Sequence, residues 1–232
     1  MALQDNGLKT GLKIKTYTNI IFDLDGTLVD SVEGVTGSVR YALDKFGIKT
    51  GETELKSFIG PPLQCSFRER YGFNEEEVRQ AIEWFRSDYR EKGVYESSLY
   101  PFVQEMLDKL DRSGKRVFLA TSKATCFAEI ILCHLKIDHY FADVSGATLD
   151  GKRVEKKDVL AHLFEQNSFI DQSKTAMVGD REHDIVGARA FGLDSFAVTY
   201  GYGSEEELRQ ACPSYYAHSV LALTEMLLNS GL

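Results

Sequence analysis

Proline and cysteine are both rare in this chain, four of each among 232 residues, and tryptophan occurs once. So few prolines, beside 43% hydrophobic residues, exclude a collagen-like or disordered protein. The cysteines, Cys65, Cys126, Cys133 and Cys212, are too few for a disulfide scaffold and form none of the close pairs of structural zinc or dithiol redox sites. Basic residues are outnumbered, 27 Lys and Arg against 35 Asp and Glu, which leaves a net charge of −8. Binding a nucleic-acid polymer requires a clustered excess of the opposite sign, so no such partner is expected. No run approaches the about 18 apolar residues of a membrane helix. Asp5, Lys9, Lys13 and Lys15 also interrupt the N-terminal stretch where a signal core would lie. These absences leave a cytoplasmic protein, monomer or dimer, with no membrane partner, built as one large domain or one domain with an insert. Residues 1–17 read as a loose leader.

What is present is a change of rhythm along the chain. Residues 18–22 are a β-rich apolar run that meets Asp23, a buried strand whose C-terminal end presents a carboxylate. Open α/β sheets place their chemistry at such strand ends. From Val32, apolar residues recur at helical spacing as far as Phe46, with Asp30 or Ser31 to cap the start and Gly47 to close the end. A further helix is predicted over 75–92, capped by Asn74, with Val78, Ile82, Phe85 and Tyr89 on one face. No strand pattern occurs within 31–97, which therefore reads as an all-helical insert. After Pro101 helices and strands alternate, with strands predicted at 117–120, 175–178 and 195–198. This alternation predicts an α/β fold in which residues 18–30 and 98–232 form a Rossmann-like parallel sheet with helices on both faces.

Four segments carry chemistry. Asp23-Leu24-Asp25-Gly26-Thr27 follows the first strand, and a turn at Gly26 lets two carboxylates converge on one site. Carboxylate oxygens suit Mg²⁺, which shares its octahedral shell with phosphate oxygens. Asp23 is positioned to attack phosphorus, and Asp25 to protonate the leaving oxygen and later deprotonate water. Thr121-Ser122-Lys123 ends another strand, where a hydroxyl and backbone N–H groups can hold a phosphate oxygen and Lys123 is expected to open a helix. Gly26, Thr27, Ser122 and Lys123 are the candidate substrate-binding residues. Lys156 or Lys157 precedes a helix and could neutralise charge on a transferring phosphoryl group. Gly179-Asp180-Arg181-Glu182-His183-Asp184 ends a third strand. Asp180 would complete a metal site with Asp23 and Asp25, and Asp184 would support it or orient the lysine. His183 is expected to face solvent. Acid pair, hydroxyl, lysine and second acid pair, in that order, is the layout of Mg²⁺-assisted phosphoryl transfer.

With these motifs the sequence resembles the haloacid dehalogenase superfamily, and within it the phosphatases close to phosphoglycolate phosphatase. The resemblance spans about residues 18–230. It implies that Asp23 is the nucleophile, Asp25 the acid/base, Thr121 the phosphate-binding hydroxyl and Lys156 (or Lys157) the charge-stabilising lysine. It further implies Asp180 as a Mg²⁺ ligand beside Asp23 and the Asp25 main-chain carbonyl, and residues 31–97 as a small cap domain. Segments 59–63 and 199–203 resemble the same branch of the family. The chain departs from it with Phe102 where Gly is usual and Ser122 where Asn is usual.

The expected activity is hydrolysis of a small phosphorylated metabolite, such as phosphoglycolate, a nucleoside monophosphate or a sugar phosphate, through an aspartyl-phosphate. Rival readings are a phosphosugar mutase with the same core and a catalytically idle phosphate-sensing scaffold. A receiver-type sensor is disfavoured by the long helical stretch between Asp25 and Thr121. Within that stretch Phe67, Tyr71, Phe73, Trp84 and Phe85 are expected to pack as a core, and Arg68 and Arg70 are candidates to meet an acidic leaving group.

Overall fold

The first strand, β1 (Asn19–Phe22), is buried along its whole length. It lies inside a six-stranded sheet, which explains a run with no polar alternation. In this computed structural model, which describes residues 15–228, the chain continues through β2 (Val29–Asp30) into four helices. These are α1 (Val32–Lys45), α2 (Glu52–Lys56), α3 (Leu63–Tyr71) and α4 (Glu75–Glu91). It returns through β3 (Ser98–Leu99), which pairs antiparallel with β2, so both crossings out of and into the sheet region run side by side. Then come α5 (Val103–Arg112), β4 (Arg116–Ala124), α6 (Thr125–His134), β5 (Phe141–Ala147) and α7 (Lys156–Gln166). The remainder is β6 (Thr175–Gly179), α8 (Glu182–Ala190), β7 (Asp194–Val198), α9 (Glu205–Ala211), β8 (Tyr215–Ala217) and α10 (Val220–Leu228).

The sheet order is β5-β4-β1-β6-β7-β8, with every neighbouring pair parallel. Successive strand residues point to opposite faces. Ile20, Phe22, Val117, Leu119, Ala176 and Val178 accordingly join one core with α5, α6 and α10. Ile21, Phe118, Ala120 and Met177 join a second core with α7 and α8. The chain leaves β1 toward β4 and β5, then restarts on its other side at β6. The carboxyl ends of β4, β1 and β6 therefore flank a topological switch point, where open α/β sheets form a crevice.

Between β2 and β3 the described chain forms only helices. Their core is aromatic: Phe67 stacks on Phe73 with ring centroids 6.0 Å apart, and Phe46 packs against both Phe73 and Trp84. Asn74 and Glu77 cap α4 reciprocally, side chain to backbone in both directions. At α1 the capping is done by Asp30, whose Oδ1 accepts from the Val32 amide at 3.1 Å, while Ser31 makes no side-chain cap bond.

Two local expectations are corrected. Of the leader placed at 1–17, residues 1–14 lie outside the described residues, and Tyr17 belongs to the core: it is fully buried and donates to Asp194 at 2.9 Å. Strand β4 runs on to Ala124 because its end still pairs with β5, so Lys123 lies in a strand and the helix starts at Thr125. Strands β5 and β8 and helix α9 had no sequence signal strong enough to name. No described helix is long and apolar enough to cross a membrane.

Phe102 explains one departure from the family pattern. Its φ of 69° lies in the left-handed region, at the residue before α5, where glycine carries no penalty. A Cβ costs roughly 1–2 kcal/mol there, while glycine returns part of that as unfolded-state entropy. Phe102→Gly should therefore raise stability by about 0.5–1 kcal/mol in urea denaturation. A loss of stability would show that the half-exposed ring makes packing contacts of greater worth.

Candidate active site

Asp23 follows β1 directly, and its amide continues the ladder by donating to the Val178 carbonyl at 2.9 Å. Phe22 is in register with Leu119 on one side and Val178 on the other. Thr121 and Asp180, each two residues beyond those partners, therefore flank Asp23 at the switch point. Helix α8 begins just after Asp180 and brings Asp184 back to the same spot. Asp23, Asp180 and Asp184 are buried and each offers a carboxylate oxygen within 4.8 Å of the others.

Lys156, the first residue of α7, points into this cluster. Its Nζ lies 2.7 Å from Asp23 Oδ1, 2.8 Å from Asp184 Oδ1 and 2.7 Å from the Ala120 carbonyl. All three ammonium protons are thus engaged. Lys157 faces away and pairs with Glu155 at 3.5 Å, so Lys156 is the lysine in the site. Burial alone would lower the pKa of the Lys156 ammonium, but Asp184 and Asp23 outweigh it and hold it above the ordinary lysine value. Burial, reinforced by Asp184 and Asp23, pushes the Asp180 carboxyl well up. Asp184 is also raised, by burial against the opposing pull of Lys156.

Three carboxylates and one ammonium leave two negative charges uncompensated, the charge of one divalent cation. The donor set is all oxygen, which suits a hard ion such as Mg²⁺. Backbone amides orient these carboxylates: Tyr202 donates to Asp180 Oδ2 at 2.7 Å and Arg181 to Asp184 Oδ2 at 3.1 Å. Two glycines make room for them. A Cβ on Gly179 would stand 2.2 Å from Asp184 Oδ2, and one on Gly26, at φ 81°, would stand 2.2 Å from Asp180 Oδ2.

The remaining candidates fall in different places. The Asp25 carboxylate stands outside the acidic cluster and pairs with Lys123 at 3.0 Å. Thr121 and Ser122 line a cavity of about 470 Å³ above the cluster, together with Asp23, Asp25 and Lys156. Gly26 and Thr27 do not line it. Thr27 instead approaches Asp180, with Oγ1 3.5 Å from Oδ1. Lys123 lines the same cavity with a nearly buried side chain, its ammonium paired with Asp25 and the Tyr89 hydroxyl. His183 is half exposed at the cavity wall and stands outside the acidic cluster.

Sequence reasoning missed the opposite wall. Arg68 and Arg70 are exposed on α3 and do not line the cavity, whereas Arg79 and Arg86 on α4 do. They flank the apolar face of α4 formed by Val78, Ile82 and Phe85, so helical spacing could have found them. Phe85 and Tyr89 serve both the packed interior and the cavity wall. The 199–203 loop was noticed only as a family likeness. Its function here is structural: Tyr200 donates to the Thr27 carbonyl, and Tyr202 accepts from the Ser31 amide and donates to Asp30, each at 2.9–3.0 Å.

A parallel sheet with this arrangement of acids and lysine at its switch point defines a hydrolase class. The chain belongs to the haloacid dehalogenase-like hydrolases, whose family model matches residues 20–198. It is 39% identical over 212 residues to a 5'-nucleotidase of Pseudomonas aeruginosa, covering 91% of this chain and 96% of that protein. It is 38% identical over 201 residues to the tyrosine-protein kinase PtkA of Mycobacterium tuberculosis, covering 86% of this chain and 68% of PtkA. A phosphoglycolate phosphatase of Vibrio vulnificus is 33% identical over 222 residues, with 91% and 96% covered. Among solved structures, one described as a predicted phosphatase from Clostridium acetobutylicum superimposes with a TM-score of 0.88 at 42% identity, over 92% of this chain and 99% of that one. The expected superfamily and its phosphatase branch are both met, and the chain is an enzyme of the phosphatase kind.

Because crowded acids oppose one another in the metal-free site, Asp180→Asn should raise the thermal stability of the metal-free protein. The same change should reduce the gain on adding Mg²⁺, which for the wild type is about 2.7 kcal/mol at a hundred times Kd. Thermal unfolding with and without Mg²⁺ checks both; identical responses in the two proteins would sink the assignment of Asp180 to the ion.

Proposed function

We propose that this chain is a cytoplasmic, Mg²⁺-dependent phosphomonoesterase that works through an aspartyl-phosphate on Asp23. The observation that carries this reading is the convergence of Asp23, Lys156 and Asp184 at the floor of a cavity also lined by Asp25 and Thr121, with Asp180 buried beside them in the same acidic cluster. A bound Mg²⁺, held by Asp23, Asp180, Asp184 and the Asp25 carbonyl, would offset charge on the phosphoryl oxygens. Lys156 fixes the orientation of Asp23, and Thr121 with neighbouring amides receives a phosphate oxygen. Asp23 attacks phosphorus, the ester P–O bond breaks, and Asp25 gives its proton to the departing oxygen. Asp25 then takes a proton from water, whose oxygen displaces Asp23 and releases inorganic phosphate.

Residues 31–97 act as a cap over 18–30 and 98–232. Two hydrogen bonds support this reading by bridging them across the cavity mouth, Arg181 to the Ile59 carbonyl at 2.7 Å and Arg86 to the Leu149 carbonyl at 3.0 Å. Closure of such a segment excludes bulk water while the phosphoryl group passes to Asp23. The leaving group is a nucleoside in preference to glycolate or a sugar. A cavity of about 470 Å³ walled by Phe58, Val78, Ile82 and Phe85 favours a large, partly apolar group, and the 5'-nucleotidase similarity points the same way. A second reading, phosphoryl transfer to a tyrosine, draws its support from the likeness to PtkA.

Phosphate release with Mg²⁺ from nucleoside 5'-monophosphates, phosphoglycolate and sugar phosphates tests the proposal. Wild type should prefer nucleotides. Asp23→Asn should lose about 10⁴-fold or more in kcat while staying folded by circular dichroism. Chelation should stop turnover and Mg²⁺ restore it. Near-normal activity of the Asp23 variant, or activity indifferent to chelator, would refute the mechanism; phosphoryl transfer to tyrosine without phosphate release would favour the second reading.

A further inference from the structure

Asp25 has an asymmetric environment that the acidic cluster does not explain. Its Oδ2 is held by Lys123 at 3.0 Å, whereas its Oδ1 is buried and meets no hydrogen-bond partner among the described residues. The same Lys123 ammonium donates to the Tyr89 hydroxyl at 2.5 Å and lies 4.5 Å from the centre of that ring. Tyr89 is itself fixed, stacked on Phe85 of the same helix and edge-on to Phe127 of α6. One cation therefore ties together the end of β4, the turn after β1 and the last turn of α4.

Each partner constrains the others. A lysine side chain is long and flexible, and a carboxylate can rotate about its last bond. Charge pairing at 3.0 Å in a buried setting removes that freedom from both. Burial would lower the Lys123 pKa, but Asp25 and Tyr89 more than compensate, so it remains a cation. With two of its three protons directed to Asp25 and Tyr89, it is poorly placed to serve as a free phosphate contact.

We propose that Lys123 is a positioning residue for Asp25, itself set by α4 through the Tyr89 hydroxyl, so that the acid/base carboxyl is aligned only while α4 is seated on the sheet region. This rests on the phosphomonoesterase reading above. Lys123 holds Oδ2 and so fixes the rotation of the carboxyl that passes a proton to the departing oxygen. The ester P–O bond breaks with its electron pair going to that oxygen, and Lys123 neither gains nor loses a proton.

The test uses the full chain with Mg²⁺ and two esters. A nucleoside 5'-monophosphate has an alkoxide leaving group that needs a proton, whereas the phenolate of p-nitrophenyl phosphate departs without one. For Lys123→Met, the single-turnover rate of leaving-group release, which precedes the hydrolysis step common to both esters, should fall by about 10²-fold on the nucleotide and by less than about tenfold on p-nitrophenyl phosphate, with half-saturation changed by less than about threefold. Tyr89→Phe, which removes one oxygen and keeps the ring, should show the same ester-dependent pattern at about three- to tenfold, and Lys123→Arg should recover part of the loss. If Lys123→Met does not fold, Tyr89→Phe carries the test alone. Weaker half-saturation at an unchanged release rate would make Lys123 a substrate contact and overturn the proposal, as would equal losses of the release rate on both esters. Wild-type protein that releases phosphate from neither ester would instead overturn the phosphomonoesterase reading and this inference with it.

Discussion

The Lys156 ammonium divides its three protons among Asp23, Asp184 and the Ala120 carbonyl, and the elements around it are placed as keeping that group charged and dry requires. An unpaired charge in such a setting costs several kcal/mol. Each partner comes from a different part of the chain: Asp23 from the end of β1, Ala120 from β4 and Asp184 from α8, while the lysine itself opens α7. Displacing any one of them would leave a buried ion without its partner. The cluster thus holds the sheet, two helices and their connecting loops to one another at the point where the carboxylates must meet.

The same centre accounts for features far from it along the chain. The 199–203 loop lends an amide to Asp180 and a hydroxyl to the paired crossings at β2 and β3. Arg181, one residue past Asp180, extends the other way: it bonds Glu207 at the start of α9 and the Ile59 carbonyl in the helical segment. A single strand end therefore sets a carboxylate of the acidic cluster, a helix and the mouth of the cavity. This economy is characteristic of switch-point sites, where adjacent loops diverge and each can serve a separate purpose.

Much of this was legible in the sequence, for physical reasons. Buried strands such as 19–22 and 175–179 are continuous apolar runs, and the acids that follow them stand out through their joint order with the hydroxyl and the lysine, each alone being ordinary turn chemistry. Helix α4 announces both its cap and its apolar face. Strand β5, Phe141–Ala147, escaped because Asp143, Ser145 and Gly146 dilute its hydrophobicity at the sheet edge, and β8 is only three residues long. The choice between Lys156 and Lys157 turned on the angle at which α7 meets the sheet, which spacing does not carry. The same holds for Lys123: whether it begins a helix or ends a strand depends on pairing between β4 and β5, a long-range property.

The antiparallel contact of β2 with β3 has a consequence for how the chain acquires its shape. Asn19 must find Arg116 and Thr175, pairings between distant segments that are entropically slow to close. Between them lies a stretch with its own aromatic interior and well-capped helix, which can order locally before the strands meet. Once ordered, it brings Val29 and Leu99 together and turns a long wandering loop into a short tether. The β2–β3 contact thus shortens the loop that must close for β4 to reach β1, which lowers the entropic cost of the pairing.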